Sequence, residues 1–279
     1  MDRPAPPLAG ALPPLPAGWR WTTRDGVHLL LAEPLRALGV LHAFTTRLGG
    51  GSAAPFHTLN LGRGVGDAPK VVRDNRTKAL AALDRPLRDH VEASQVHGAS
   101  AAVVGAPQRG ELIPGVDILL TRDPAVVLAV HCADCVPVLL ADPVRGAVGA
   151  VHAGWRGAAS GASAAAVRAM AEAFGSRPAD LVAAVGPSIG TCCYEVGAAV
   201  MAAFSAWPWR ADVFAAGRTG RWMLDLWEAN RRQLVGAGVR PEAVSVVGLC
   251  TSCHPGVFFS HRRDRVTGRM AGLIAAARP

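Results

Sequence analysis

Three side chains, His97, Cys135 and His152, stand out in a sequence rich in Val, Leu, Ala and Gly. Two imidazoles and one thiolate suit zinc, and three protein ligands leave a fourth position for water or substrate, as in a catalytic rather than a structural site. That position can lower the pKa of water toward neutrality. The gaps of 38 and 17 residues form no compact motif, so the set rests on residue type and on the strands that would carry it. Two of the three fall in residues 126–160, VVLAVHCADCVPVLLADPVRGAVGAVHAGWRGAAS, which read as two apolar strands joined by a turn. His131, Cys132, Asp134 and Cys135 interrupt the first part, and His152 and Arg156 end the second. Polar side chains are costly to bury without partners, so their concentration in so apolar a stretch marks a site.

The neighbours suggest supporting roles. In an extended segment Cys132 and Cys135 point to opposite faces, so only one of them reaches a given ion. Pro137 marks a local irregularity that leaves Cys135 near a strand end. Asp134 would act as a proton acceptor or as support behind the ligands. After His152 the chain reads Ala-Gly-Trp-Arg-Gly and enters a helix, whose free N–H groups would let Gly154, Arg156 and Gly157 hold phosphate; the alternative is a tight turn with Arg156 in solvent. Thr45-Thr46-Arg47, with three glycines after Leu48, resembles an anion-holding turn, or a flexible loop, and no Walker signature follows it. CTSCH at residues 250–254 matches the haem-attachment pattern, which reads as accidental after an apolar strand and without an export signal. Vicinal Cys192 and Cys193 read as packing residues.

The elements that must position these groups are mixed. Helices are expected over residues 67–83, 158–174, 195–204 and 225–235, the last opened by an Asp225/Glu228 capping box. Strands are expected through residues 91–104, where His97 sits between apolar neighbours, on either side of the turn at residues 142–146, and over 181–185 and 243–249. Residues 207–222 are irregular and Trp-rich, either a lid or core packing. The interleaving gives a mixed α+β layered class. At 279 residues the chain can bury a large core. No apolar run reaches the roughly 18 residues of a membrane helix. Residues 1–18 read as a loose Pro-rich tail without a secretory signal, giving a cytoplasmic expectation. The net charge of +8 invites a nucleic-acid partner, but Arg is scattered, aromatics are 5%, and no groove-reading motif accompanies the charge.

Six motifs in order carry a resemblance: TTRLGG (residues 45–50), QVHG (95–98), ADCVPVLLAD (133–142), VHAGWRG (151–157), GPSIGTCCYEVG (186–197) and FFSHRRDRVTGRMAGLI (258–274). Together they resemble the laccase-domain, YfiH-like family, also called the multicopper polyphenol oxidase family, over nearly all of residues 19–279. The resemblance implies one catalytic domain of mixed sheets flanked by helices, with His97, Cys135 and His152 as metal ligands. It implies a zinc-dependent purine nucleoside phosphorylase acting on adenosine, inosine and methylthioadenosine, with adenosine deaminase activity and phosphate and nucleoside as small-molecule partners. A second expectation is a peptidoglycan-precursor editing amidase with Cys135 as nucleophile. A third is a zinc module without turnover, its fourth ligand supplied by Cys132 or His131. Copper oxidase chemistry is disfavoured, because a multicopper cluster needs closely spaced His-x-His pairs and the nine histidines contain none. Oligomeric state is left open.

Overall fold

The apolar runs become strands covered on both faces, in a computed structural model that describes residues 12–277. Strand Val127–Cys132 shows why it reads as continuously hydrophobic: Leu128 and Val130 enter one core, while Val127 and Ala129 enter another. Strand Val136–Asp142 repeats the pattern, with Leu139 and Ala141 in the first of those cores and Val138 and Leu140 in a third.

The first strand lies in a seven-stranded sheet ordered Trp19–Arg24, Val27–Ala32, Leu41–Thr45, Met270–Ala275, Val127–Cys132, His90–Ser94, Leu112–Pro114. The second lies in a six-stranded sheet ordered Val244–Val246, Val182–Val185, Val136–Asp142, Ala147–Ala153, Ile118–Thr121, Ala101–Val103. The two sheets face each other across the central core. Helix Pro69–Ala81 covers the outer face of the seven-stranded sheet through Ala79 and Leu80. Helices Ala162–Phe174 and Leu226–Gly236 cover the other sheet through Val167, Met170, Ala229 and Leu234. The result is four layers, helix, sheet, sheet and helix, in the mixed α+β class expected from the sequence. No helix of the described residues is long and apolar enough to cross a membrane.

Several local expectations give way to backbone geometry. The apolar stretch after residue 126 is three strands and not two, because the chain bends through residues 133–135 and changes sheets there. Residues 95–100 form a loop between strands His90–Ser94 and Ala101–Val103, so His97 is not on a strand. The helix expected over residues 158–174 is split into Trp155–Ala159 and Ala162–Phe174 by Gly161, whose φ of 80° belongs to the left-handed region. Residues 195–204 open as strand Glu195–Gly197 before helix Ala198–Ala203. Asp225 does cap helix Leu226–Gly236, accepting the Glu228 N–H at 2.9 Å, while the Glu228 carboxylate pairs with Arg231 and Arg232. The Trp-rich segment packs rather than hangs free: Trp207 Nε1 donates to Ala159 O at 2.9 Å and its ring stacks on Trp209. Leu12 and Leu15 pack on the central core and Pro13 O accepts from Trp21 Nε1, so the end of the Pro-rich segment belongs to the domain. Residues 1–11 of that segment lie outside the described residues.

One buried charged network has a measurable consequence. Glu92 accepts from Arg76 Nη1 and from Arg63 Nη2, with His90 and His131 beside it. A cleft lined by Arg63, Lys70, Arg73 and Arg88 opens next to this network and includes none of the three candidate ligands. Burial, only partly countered by Glu92, holds His131 down to about 3 and His90 down to about 4. Burial opposes the Glu92 charge, but His131, His90 and the two guanidiniums bring its carboxyl down to about 2. All three groups bind protons more readily in the unfolded chain, at about 6.5 for His and about 4.3 for Glu. Stability is therefore greatest above about pH 6.5 and is lost as pH falls through and below that value. Urea midpoints should drop between about pH 7 and pH 5, and the double substitution His90→Gln, His131→Gln should flatten that part of the profile. Parallel profiles for the two proteins would show that these histidines take up protons equally in the folded and unfolded states.

Candidate active site

The site is assembled around an acid inside an apolar segment. Asp117, fully buried ahead of strand Ile118–Thr121, takes the N–H groups of Val96, His97 and Gly98 on its carboxylate at 3.2, 3.0 and 2.7 Å. The same carboxylate receives His152 Nδ1 at 2.8 Å, and the Asp117 carbonyl receives the His152 N–H at 2.8 Å. One side chain thus holds the 95–100 loop against strand Ala147–Ala153. His97 has a φ of 62°, uncommon for a residue with a Cβ, and the three successive N–H bonds keep it there. With Nδ1 engaged by a carboxylate, His152 has Nε2 free to ligate a metal, the usual tautomer lock of a ligating histidine.

Cys135 comes from the bend that carries the chain from one sheet to the other, where Asp134 has a φ of 91°. One donor atom from each of His97, Cys135 and His152 lies within 4.8 Å of the other two. The two imidazoles meet edge to face with centroids 4.9 Å apart. Gly154 completes the fit: a Cβ there would stand 2.8 Å from Cys135 Sγ and 3.2 Å from His97 Cδ2. His152 is buried, Cys135 half-buried and His97 exposed, so the cluster is walled on one side and open on the other.

Electrostatics favour a thiolate. Burial raises the Cys135 pKa, but the His152 charge and the hydrogen bonds of both histidines overcome it and bring the thiol down to about 6. Burial lowers His152, yet Cys135 and Asp117 raise it to about 9. Burial likewise opposes the Asp117 charge, and His152 with the Gly98 and Val96 N–H groups holds that carboxyl below its ordinary value. A divalent ion would take the place of the His152 proton between a formed thiolate and two imidazoles. The residues therefore fit a metal by donor chemistry, by proximity and by the carboxylate behind His152.

The other residues singled out from the sequence fall into different roles. Both oxygens of Asp134 are engaged, Oδ1 by Thr251 Oγ1 and Oδ2 by the Arg262 N–H, each at 2.6 Å, and its carbonyl accepts from Ile189 N at 3.0 Å. Arg47 is 2% exposed; its Nε donates to His57 O, its Nη1 to Pro255 O, and its Cζ lies 4.6 Å over the Phe259 ring. In the folded chain the guanidinium thus braces backbone carbonyls. The glycines beside it serve close packing, since a Cβ on Gly50 would stand 2.2 Å from Thr58 O. Arg156 is exposed and stacked 4.3 Å over Trp155, in a helix of five residues, so its own charge and not a long helix dipole is what it offers an anion. Cys132 and His131 do not join the cluster; Cys132 is buried opposite Met270, and His131 faces Glu92. Four contributors escaped the sequence reading: Asp117, Thr251, Tyr194 and Arg262. Asp117 had a usable signal, an acid interrupting the apolar run Val116-Asp117-Ile118-Leu119-Leu120. Burial and the Cys135 charge raise the buried Tyr194 phenol, opposed by Arg262, which lies 4.8 Å over its ring, and by Arg156.

A four-layer α+β protein with a two-histidine, one-cysteine centre open on one side is thereby defined. The chain belongs to the multi-copper polyphenol oxidoreductase laccase family, matched over residues 41–277. It is 41% identical to the purine nucleoside phosphorylase YlmD of Geobacillus stearothermophilus over 85% of this chain and 90% of that protein. It is 44% identical to a purine nucleoside phosphorylase of Streptomyces coelicolor over 85% of this chain and 95% of that protein. The crystal structure of Geobacillus stearothermophilus YlmD superposes with a TM-score of 0.88 at 38% identity, covering 94% of this chain and all of that one. A YfiH protein of Bacillus licheniformis gives 0.87 at 39% identity, covering 92% of this chain and 98% of that one. The copper chemistry in the family's name needs a further His-rich cluster. Among the described residues, which include all nine histidines, the only metal-competent group containing histidine is His97, Cys135 and His152.

The Asp117 arrangement can be tested apart from activity. Asp117→Asn should weaken metal binding by about 10- to 100-fold in a competitive zinc titration, because it removes the charge that orients His152 and holds the 95–100 loop. Gly154→Ala should weaken it too, by pushing on Cys135 and His97. Unchanged affinity in both variants would mean that the ligands hold their positions without this support.

Proposed function

We propose that this chain is a zinc-dependent purine nucleoside phosphorylase that also deaminates adenosine. The observation that carries the reading is the cluster of His97, Cys135 and His152, closed behind by Asp117 and open toward solvent at His97, in a chain about 40% identical to proteins named purine nucleoside phosphorylase. Three ligands with an open side suit turnover, and the absence of Cys132 and His131 from the cluster counts against a closed structural zinc there. When bound, zinc supplies a Lewis acid that polarises a heteroatom of the substrate at the open side.

The chain's own groups do the rest. Arg156, exposed two residues beyond the Gly154 contact with Cys135, is the phosphate-binding residue, its guanidinium matched to phosphate oxygens. The Trp155 ring beneath it restrains its orientation. Tyr194 keeps its phenol proton and offers a donor. Asp134 positions the Cys135 bend through Thr251, Arg262 and Ile189, each of its carboxylate oxygens accepting one protein hydrogen bond.

Incubation of zinc-replete protein with adenosine and inorganic phosphate should release adenine and a ribose phosphate, with inosine as a second product. Cys135→Ala should lower both activities by about 100-fold or more, as expected for loss of a metal ligand. Arg156→Ala should raise the KM for phosphate by about 10- to 100-fold, the worth of a charge-assisted hydrogen bond, and leave adenosine deamination little changed. Release of neither adenine nor inosine would overturn the reading.

The thiolate–imidazolium pair of Cys135 and His152 favours one second reading, a cysteine amidase acting on a peptidoglycan precursor. The two make opposite demands on the metal. Amide hydrolysis that survives chelation and is lost on alkylating one thiol would support the amidase, whereas turnover that needs zinc supports the phosphorylase.

A further inference from the structure

Four cysteines outside this centre converge from segments about 60 residues apart. Cys192 and Cys193 lie in the turn before strand Glu195–Gly197, and Cys250 and Cys253 follow strand Val244–Val246. Backbone bonds zip the two segments together: Ser188 N to Leu249 O at 3.3 Å and Thr251 N to Ser188 O at 3.0 Å, around a bridge between Ser188 and Cys250. In an extended chain vicinal side chains point apart. Here Gly190 O accepts the N–H groups of both Cys193 and Tyr194, and the turn so formed brings Cys192 and Cys193 to the same neighbour. Their sulfurs stand 3.3 and 3.5 Å from Cys253 Sγ, and all four sulfurs lie within 4.8 Å of one another. Cys250, the buried member, accepts the Gly190 N–H at 3.3 Å, the kind of backbone donor that stabilises a thiolate. Gly190 is the residue that permits this approach, because a Cβ there would stand 2.6 Å from the Trp227 ring and 3.4 Å from Cys250 Cβ.

We propose that Cys192, Cys193, Cys250 and Cys253 form a second metal site, a closed tetrathiolate that holds one zinc ion. Zinc–sulfur bonds of about 2.3 Å place the corners of a tetrahedron about 3.8 Å apart, within the range these sulfurs already span. All four are free thiols, and a disulfide would require about 2.05 Å between sulfurs. Binding involves no electron transfer: the ion replaces the thiol protons, which leave to solvent. Four protein ligands leave no open corner, so the ion is structural. Its place in the fold gives it a purpose. The two segments it joins carry Ile189 and Thr251, which hold Asp134 beside Cys135, and Arg263 Nη1 bonds Thr251 O and Ser252 O from a third segment. The ion would brace the wall of the other centre without touching it.

The test reads metal content and spectrum, so it stands or falls separately from the phosphorylase reading. Full-length protein reconstituted with zinc under reducing conditions should hold about two ions per chain, falling to about one in Cys135→Ala and to about one in Cys250→Ser, Cys253→Ser. Cobalt(II) added to Cys135→Ala should give the intense sulfur-to-cobalt charge-transfer bands of a tetrathiolate. Should the double serine variant fold poorly, the exposed Cys192→Ser change, made in the Cys135→Ala background, should weaken cobalt uptake at least about tenfold. The proposal is overturned if Cys135→Ala takes up no cobalt, if wild-type protein holds about one zinc that disappears in Cys135→Ala, or if oxidised glutathione converts Cys192 and Cys253 to a disulfide as fast with excess zinc as without it.

Discussion

A buried carboxylate with no water to satisfy it must find donors from the protein, and Asp117 finds four: three successive backbone N–H groups and one imidazole. Removing any one leaves part of a charge unpaired inside the protein, which costs more than the bond itself was worth. That asymmetry is what makes the site rigid. The loop bearing His97 cannot relax out of its left-handed turn without exposing the Asp117 charge to an apolar wall. His152 cannot rotate without the same cost. Two of three ligands are therefore fixed through a residue that touches no metal.

The third ligand is fixed by topology. Strand Val127–Cys132 ends where the chain, at residues 133–135, leaves the seven-stranded sheet for the six-stranded one, and Cys135 closes that crossover half-buried. It packs against the central core, while Cys132, three residues earlier, is buried inside it. Burial pushes the Cys132 thiol well above its ordinary value. Two cysteines of one motif thus have opposite chemistry because one belongs to a strand and the other to the bend between strands.

The same contrast explains what could be read from the sequence. Residue type singles out His97, Cys135 and His152 as candidate ligands, because imidazole and thiol donors are conspicuous among Val, Leu and Ala, and the fold brings their donor atoms together. The class of fold was legible from alternating strand and helix patterns. The backbone that carries the ligands was not: His97 looked like a strand residue, because hydrogen bonds to an acid 20 positions away, not its neighbours, set its φ. Gly161 was a visible helix breaker inside an Ala-rich run whose helical propensity outweighed it on inspection. At Arg47 the sequence is ambiguous, since a glycine run near an arginine looks the same whether the glycines admit a phosphate or the backbone of residues 58 and 59. The four clustered cysteines show the converse: two short pairs about 60 residues apart carry no sign in the sequence that a β-bridge joins them.

Asp134 shows how the two clusters belong to one design. Its positive φ is needed for the sheet crossover, and an L-residue holds such a conformation only when its surroundings fix it. Those surroundings are Ile189 on its carbonyl, and Thr251 and the Arg262 N–H on its carboxylate. Ile189 and Thr251 sit next to the turns that carry the four cysteines, and the β-bridge keeps them together. A cross-link at the cysteines would narrow the motion of both anchors at once, and through them the position of Cys135, whose distance from the imidazoles decides whether one ion can be shared. The open centre needs freedom on its solvent side for substrate and none on its wall. A metal ion held by the four cysteines would add stiffness to that wall, where the chain turns between sheets.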